Sequence, residues 1–324
     1  MKDWLFTKVP ALEVMARLAY WRVKPLHALG ELLRKRMATR VKQQQLAGPP
    51  TPIDFEKVRD AIRSLGASEG GILIVHSSFN ALKPTGLTPK EVIAGLRGLV
   101  GPAGTLAMPA IPIIRGEPQG EAKFDDAAYD KVFEYNPQST RIATGALPKA
   151  LMGLPGAARS RHPGNSMVAV GRSAEAMMRD NLAGDRPSPC GPGSSWEYAY
   201  RHDARIVAIG IDLVHSLTMI HVAEEAFADR WPIGNWYRER RFVIRDSAGD
   251  QPITIRERRH GWSQFYAERA FSRDLYRAGI AATRVVDGLE IHACSSRALV
   301  EFLLNHPRPG YPYVFPLGLP EKAA

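Results

Sequence analysis

One imidazole and two carboxylates stand close together in Ser216-Leu217-Thr218-Met219-Ile220-His221-Val222-Ala223-Glu224-Glu225. Read as the first turns of a helix, the stretch puts His221 and Glu224 on one face, where the pair can cooperate in moving a proton. We take His221 as a general base, a task that suits an imidazole because it titrates near neutral pH. Two other readings of these residues stay open. His215 and His221 with Asp212, Glu224 and Glu225 offer metal ligands, although His-x5-His-x2-Glu is not a recognised zinc spacing. A plain helix start, capped by Ser216 or Thr218 with the glutamates complementing the dipole, explains the pattern as well.

Two further polar clusters could hold a ligand. His76-Ser77-Ser78 follows the apolar run Ile72-Leu73-Ile74-Val75, so its hydroxyls and backbone N–H groups would face a cleft and hold a phosphate or a carbonyl oxygen. Closing a turn is the competing role. Arg159-Ser160-Arg161-His162-Pro163-Gly164-Asn165-Ser166 offers two guanidiniums for anionic oxygens, against the alternative of a solvated basic loop. Cys190, in Pro189-Cys190-Gly191-Pro192, has no base beside it in sequence to make it a covalent acceptor.

These groups need a sheet to position them. Arg205-Ile206-Val207-Ala208-Ile209-Gly210 is short, apolar and β-branched, and predicts a buried strand whose carboxyl end feeds the His221 segment. Ligands sit at such edges in open α/β sheets. Helical spacing over 55–65, the strand 72–75, a helix over 89–99 with Pro89 in its first turn, the turn Gly101-Pro102-Ala103-Gly104 and the strand Thr105–Met108 make a β-α-β unit. Residues 110–144 are loop-rich and aromatic, as a binding loop over a cleft would be. A helix over 145–152 and a strand over 167–170 follow. After Trp231, the segments 241–244 and 252–255 suggest a hairpin, with helices near 263–278 and 295–305.

With 324 residues, 45% of them apolar, the chain can bury a sizeable core. Its two cysteines are too few for a disulfide framework and cannot form a CxxC metal pair, which points to a reducing cytoplasm. The net charge of +10 is uneven: residues 1–45 carry ten Lys and Arg against three acids, a net +7, which leaves +3 for the rest. So nearly balanced a body, without a reader motif, argues against nucleic acid. Trp4, Leu5, Phe6, Leu12, Met15, Leu18 and Trp21 among those basic residues describe an amphipathic helix. It would either pack on its own domain or a neighbouring subunit, or lie on an anionic membrane surface. Gln43–Gln45 and Gly48–Pro52 read as a linker. The expected organisation is therefore a helical extension with linker over 1–50, an α/β core over 51–230 and a smaller α+β lobe over 231–324. GxGxxG after a strand, GxxxxGK[ST] and GxSxG are all missing, which weighs against nicotinamide, ATP-hydrolysing and α/β-hydrolase chemistry.

Five blocks in order resemble the aminoglycoside 3-N-acetyltransferase family: Val75–Ser78, Gly101–Pro109, Gly145–Pro148, Arg159–Pro163 with Ser166, and His221-Val222-Ala223-Glu224. The resemblance implies an α/β fold with a central, largely parallel sheet flanked by helices, distinct from the GNAT type. It implies acetyl-CoA as co-substrate and a small-molecule amine as acceptor, with no metal. It makes His221 the catalytic base and Glu224 its helper. His76, Ser77 and Ser78 would line the coenzyme cleft, Arg159, His162 and Ser166 would flank the coenzyme, and the C-terminal lobe would complete the acceptor site. One departure bears on the acceptor. Where family members acting on aminoglycosides carry an aspartate, this chain has His215, six residues before His221. A chain of net positive charge is also a poor long-range trap for polycations. The expectation is therefore direct N-acetylation of an anionic, nucleotide-linked amino sugar. Aminoglycoside acetylation conferring antibiotic resistance is the alternative, and a non-catalytic membrane-associated binding protein is a second. A cytoplasmic location, peripheral to the inner face of the membrane through residues 1–45, and a homo-oligomeric state complete the expectations.

Overall fold

The computed structural model describes residues 2–22, 51–316, 318 and 320, with the His215 side chain outside the description. Ten strands run β1 Ile72–Ser77, β2 Thr105–Pro109, β3 Val132–Tyr135, β4 Ala158–Arg159, β5 Met167–Gly171, β6 Arg205–Ile209, β7 Tyr237–Asp246, β8 Gly249–Arg258, β9 Ala281–Val286 and β10 Leu289–Ser295. Seven of them form one sheet in the order β4-β5-β2-β1-β6-β10-β9. Its centre, β2-β1-β6, is parallel as expected, while β5, β4, β10 and β9 add antiparallel strands on both sides.

The sheet is buried on both faces, which is why its central strands read as unbroken apolar runs. Leu73 and Val75 of β1 point to one core with the helices Phe55–Ser64, Pro89–Val100 and Ala146–Met152. Ile72 and Ile74 point to the other, against Ser195–Arg201, Ile220–Glu225, Glu268–Arg277 and Ser296–Leu304. Local chemistry starts these helices where the sequence indicates. The Asp54 carboxylate accepts from the Glu56 and Lys57 amides, and Thr88 with Glu91 forms a capping box before Pro89.

The region after Trp231 divides between two sheets. β7 and β8 form the expected hairpin, longer than its apolar core suggests, and β3 joins it in parallel. β9 and β10 instead extend the main sheet, β10 pairing with β6. The expected boundary at 230 therefore separates sequence more cleanly than structure: residues 281–304 share the main core, because Ala293 and Cys294 are as buried as the central strands.

The amino-terminal helices Lys2–Lys8 and Pro10–Arg22 pack on their own chain. Val14 is enclosed with Ala267, Ala270 and Val314, and buried Glu13 takes Arg269 at 2.8 Å and Arg17 at 3.1 Å. Trp4, Leu5, Leu12 and Met15 stay exposed. Residues 23–50, and with them most of the expected linker, lie outside the described residues.

Candidate active site

Adjacent parallel strands deliver the two halves of the site. β1 ends in His76 and Ser77, and β6 ends beside it at Ile209, with Gly210 next in the chain. Gly210 has a φ of +63°, and a Cβ there would sit 2.3 Å from the Ala81 Cβ, so only glycine turns the chain here without strain. The helix expected next is interrupted. Asp212, not Ser216 or Thr218, caps the short piece Leu213–Ser216, and Ile220–Glu225 follows without a side-chain cap.

That second piece carries the central pair. His221 Nδ1 lies 2.8 Å from Glu224 Oε2, with the ring 14% exposed and the carboxylate 1% exposed. The other Glu224 oxygen accepts from the Tyr313 hydroxyl at 2.8 Å, and Tyr237 donates to the Glu224 carbonyl at 2.8 Å. Burial pushes both phenols far above their usual range, so they remain donors. Each oxygen of the buried Glu224 side chain thus has a hydrogen-bond partner. Nδ1 is occupied, which leaves Nε2 to meet a substrate.

His221 lines a cavity of about 400 Å³. Its walls are largely apolar, with Val75, Pro148, Val214 and Leu217 among them, and its polar groups include His76, Ser77, Thr144, Thr218, Arg258 and Tyr313. The structure therefore brings together His221, Glu224, His76 and Ser77. His76 is buried, which holds its imidazole neutral by lowering the pKa to about 4, and its Nε2 has no partner among the described residues. Ser78 does not line the cavity, and its N–H donates to the Ile209 carbonyl at 3.1 Å.

Arg159, His162 and Ser166 do not line this cavity, and their side chains are engaged within the protein. Arg159 donates to the carbonyls of Pro137, Thr140 and Ala110. Ser166 shares a hydrogen bond with the Tyr135 hydroxyl at 3.1 Å. The His162 ring lies between Gly164 and the Pro187 carbonyl, and burial lowers its pKa to about 4. Arg159 and Ser166 tie the 110–144 loop to the β4–β5 segment, while His162 braces the turn that joins those two strands. Arg161 is likewise engaged, with Asp246 at 2.6 Å.

The neighbouring acid has a different character. Glu225 accepts the Cys190 N–H at 2.7 Å and is pushed up to about 8 by burial, so it carries a proton at neutral pH. The Cys190 thiol is fully buried and driven well above its usual range by that burial, which makes it a poor nucleophile. Among the described residues no three His, Cys, Asp or Glu side chains converge to hold a metal ion.

Arg258, Tyr266 and Tyr313, which reach the cavity from the C-terminal third, carry no motif that marks them. Only the aromatic cluster Tyr311-Pro312-Tyr313 marks that segment, and nothing in its spacing ties it to His221.

A family model for aminoglycoside 3-N-acetyltransferase matches residues 74–306, and so covers every residue of the site except Tyr313. The chain belongs to that family. It is 35% identical over 187 residues to aminoglycoside N(3)-acetyltransferase III of Salmonella sp, a match covering 54% of this chain and 62% of that one. The chain therefore spans less than two thirds of that relative's length. With aminoglycoside N(3)-acetyltransferase VIII of Streptomyces fradiae it shares 30% identity over 273 residues, covering 76% of this chain and 88% of that one. Among solved structures, aminoglycoside acetyltransferase AAC(3)-Xa superposes with a TM-score of 0.64 at 24% identity, covering 78% of this chain and 91% of that one. AAC-IIIb in binary complex with CoASH superposes with a TM-score of 0.62 at 24% identity, covering 76% and 92%. The shared architecture is the non-GNAT α/β fold that the resemblance implies. No helix among the described residues is long and apolar enough to cross a membrane.

Proposed function

We propose that this protein is an acetyl-CoA-dependent N-acetyltransferase that acylates a primary amine of an amino sugar by direct transfer, with His221 as general base. The His221–Glu224 hydrogen bond at the wall of the large cavity carries the reading. An alkyl ammonium is not a nucleophile until it loses a proton, and His221 Nε2 is placed to take it. Glu224 holds the Nδ1–H tautomer and offsets the charge that then appears on the ring, while Tyr313 and Tyr237 fix the carboxylate.

Acetyl-CoA supplies the acyl group as an activated thioester. The cavity's chemistry fits a pantetheine arm, because its walls are apolar and its few polar groups include the unpartnered Nε2 of His76 and the Ser77 hydroxyl. The acetyltransferase activity named for the relatives supports the same donor. Their names also favour a second reading, in which the acceptor is an aminoglycoside and the product an inactivated antibiotic. The exposed Trp4, Leu5, Leu12 and Met15 on the basic arm support contact with an anionic membrane surface, beside which amino sugars are assembled into glycans.

Replacing His221 by Ala tests the reading. Thiol release from acetyl-CoA in the presence of glucosamine or gentamicin falls to background, while coenzyme binding by calorimetry persists. Near-normal turnover in that variant would remove the base.

A further inference from the structure

Behind His221 lies a second, smaller cavity of about 120 Å³ that shares His221 and Arg258 with the large one. It adjoins a third of about 360 Å³ through Gly164, Asn165, Glu257 and His260. These spaces hold three carboxyls, and none is free for a cationic ligand. Glu257 accepts from Arg240 at 3.0 Å and from Arg238 at 3.4 Å, and Glu117 accepts from Arg240 at 3.0 Å. Glu225 is tied to the Cys190 N–H and kept protonated by burial. The large cavity has no Asp or Glu in its lining.

The donors are the reverse. The Arg258 guanidinium faces both cavities and makes no hydrogen bond among the described residues; its ring neighbour is Trp236, with the centroid at 6.0 Å. Burial works against its charge, the Glu224 and Glu257 carboxylates nearby offset that, and it stays ionised. Arg240, 4% exposed, also leaves Nε and Nη2 unpartnered while it lines the third cavity. The phosphates of the coenzyme cannot be what Arg258 awaits. They lie at the far end of the pantetheine arm from the thioester, and Arg258 stands beside the base that must meet the amine.

We propose that the acceptor carries a phosphate or carboxylate in addition to its amine, and that Arg258 binds this group from the second cavity, so that the substrate class is an anionic amino sugar and not a polycation. This rests on the N-acetyltransferase reading. A guanidinium beside His221 binds an oxyanion with charge-assisted hydrogen bonds. The same positive charge disfavours a second ammonium in the substrate.

The test is calorimetry on the full chain saturated with CoA, titrated with glucosamine 6-phosphate, glucosamine or gentamicin, alongside acetyl transfer to each. Glucosamine 6-phosphate should bind ~10–100-fold tighter than glucosamine, the worth of one or two charge-assisted hydrogen bonds. Arg258→Gln should erase that ratio, with a loss that falls far more on glucosamine 6-phosphate than on glucosamine, and Arg258→Lys should restore part of it, which separates charge recognition from damage to the fold. Equal binding of the two sugars, tighter binding of gentamicin, or an Arg258→Gln loss falling equally on all three amines would overturn the proposal. Phosphate-selective binding that depends on Arg258 but is accompanied by no transfer would uphold the anion site and overturn the enzymatic reading alone.

Discussion

His221 and Glu224 occupy one helical turn, and the 2.8 Å bond between Nδ1 and Oε2 makes the imidazole and the carboxylate a single proton-handling unit. Glu224→Gln separates charge from shape. An amide whose oxygen keeps the Tyr313 bond turns its NH2 toward His221, which must then carry its proton on Nε2, where it cannot act as a base. A fall in kcat of ~10²–10⁴-fold with an unchanged KM for acetyl-CoA is expected. Steady-state kinetics within threefold of the parent enzyme would sink the assignment.

Tyr313→Phe removes the donor to the second Glu224 oxygen. A buried acceptor left without its partner costs ~1–3 kcal/mol, so the melting temperature drops by several degrees and kcat falls less than in Glu224→Gln. Calorimetric melting and turnover on the same preparation check both. A variant as stable as the parent would mean that the phenol does not bear on the carboxylate.

Stability should peak near pH 6.5, because buried groups pull in opposite directions. His76, His162 and His260 have folded pKa values lowered by burial to about 4, so the stability they support is present above pH 6.5 and is lost as pH falls toward 4. Glu225 is raised to about 8, so its contribution is present at low pH and is lost as pH rises from the usual carboxylate range toward 8. Each pKa unit is worth about 1.4 kcal/mol. Thermal melts between pH 4.5 and 8.5 should show the maximum, and Glu225→Gln should flatten the alkaline side while keeping the acid side. Parallel alkaline declines in the two proteins would show that another group is responsible.

The amino-terminal helices support the cavity wall from outside. Arg17 donates to the carbonyls of Ser263 and Tyr266, two residues that line the cavity. Deleting residues 1–22 uncovers Ala267, Ala270 and Val314, and should lower the melting temperature and raise the KM for acetyl-CoA severalfold. An unchanged melting curve would contradict this packing and leave lipid contact as the arm's remaining role.

What the sequence made legible was local. The strand over 205–209 has the bounds its β-branched run indicates, and His221 meets Glu224 because three residues make nearly one helical turn. What it hid was long-range or ambiguous. Arg159, His162 and Ser166 share a motif, and nothing in it shows that they bond to Pro137, Pro187 and Tyr135, which are distant in sequence. Arg258 and Tyr313 reach the site because the 237–258 hairpin and the C-terminal segment fold back on it, and no periodicity encodes that return. The β9-β10 pair lacked a strong alternating pattern because one edge strand is half exposed while its neighbour is buried.

The reach of Tyr313 has a temporal consequence. During synthesis on the ribosome, the strands carrying His76 and the helix carrying His221 emerge well before the residue that secures Glu224. The nascent chain therefore owns its base long before that base is properly supported. A chain ended before residue 313 would keep the base but lose the hydroxyl that holds the second oxygen of Glu224.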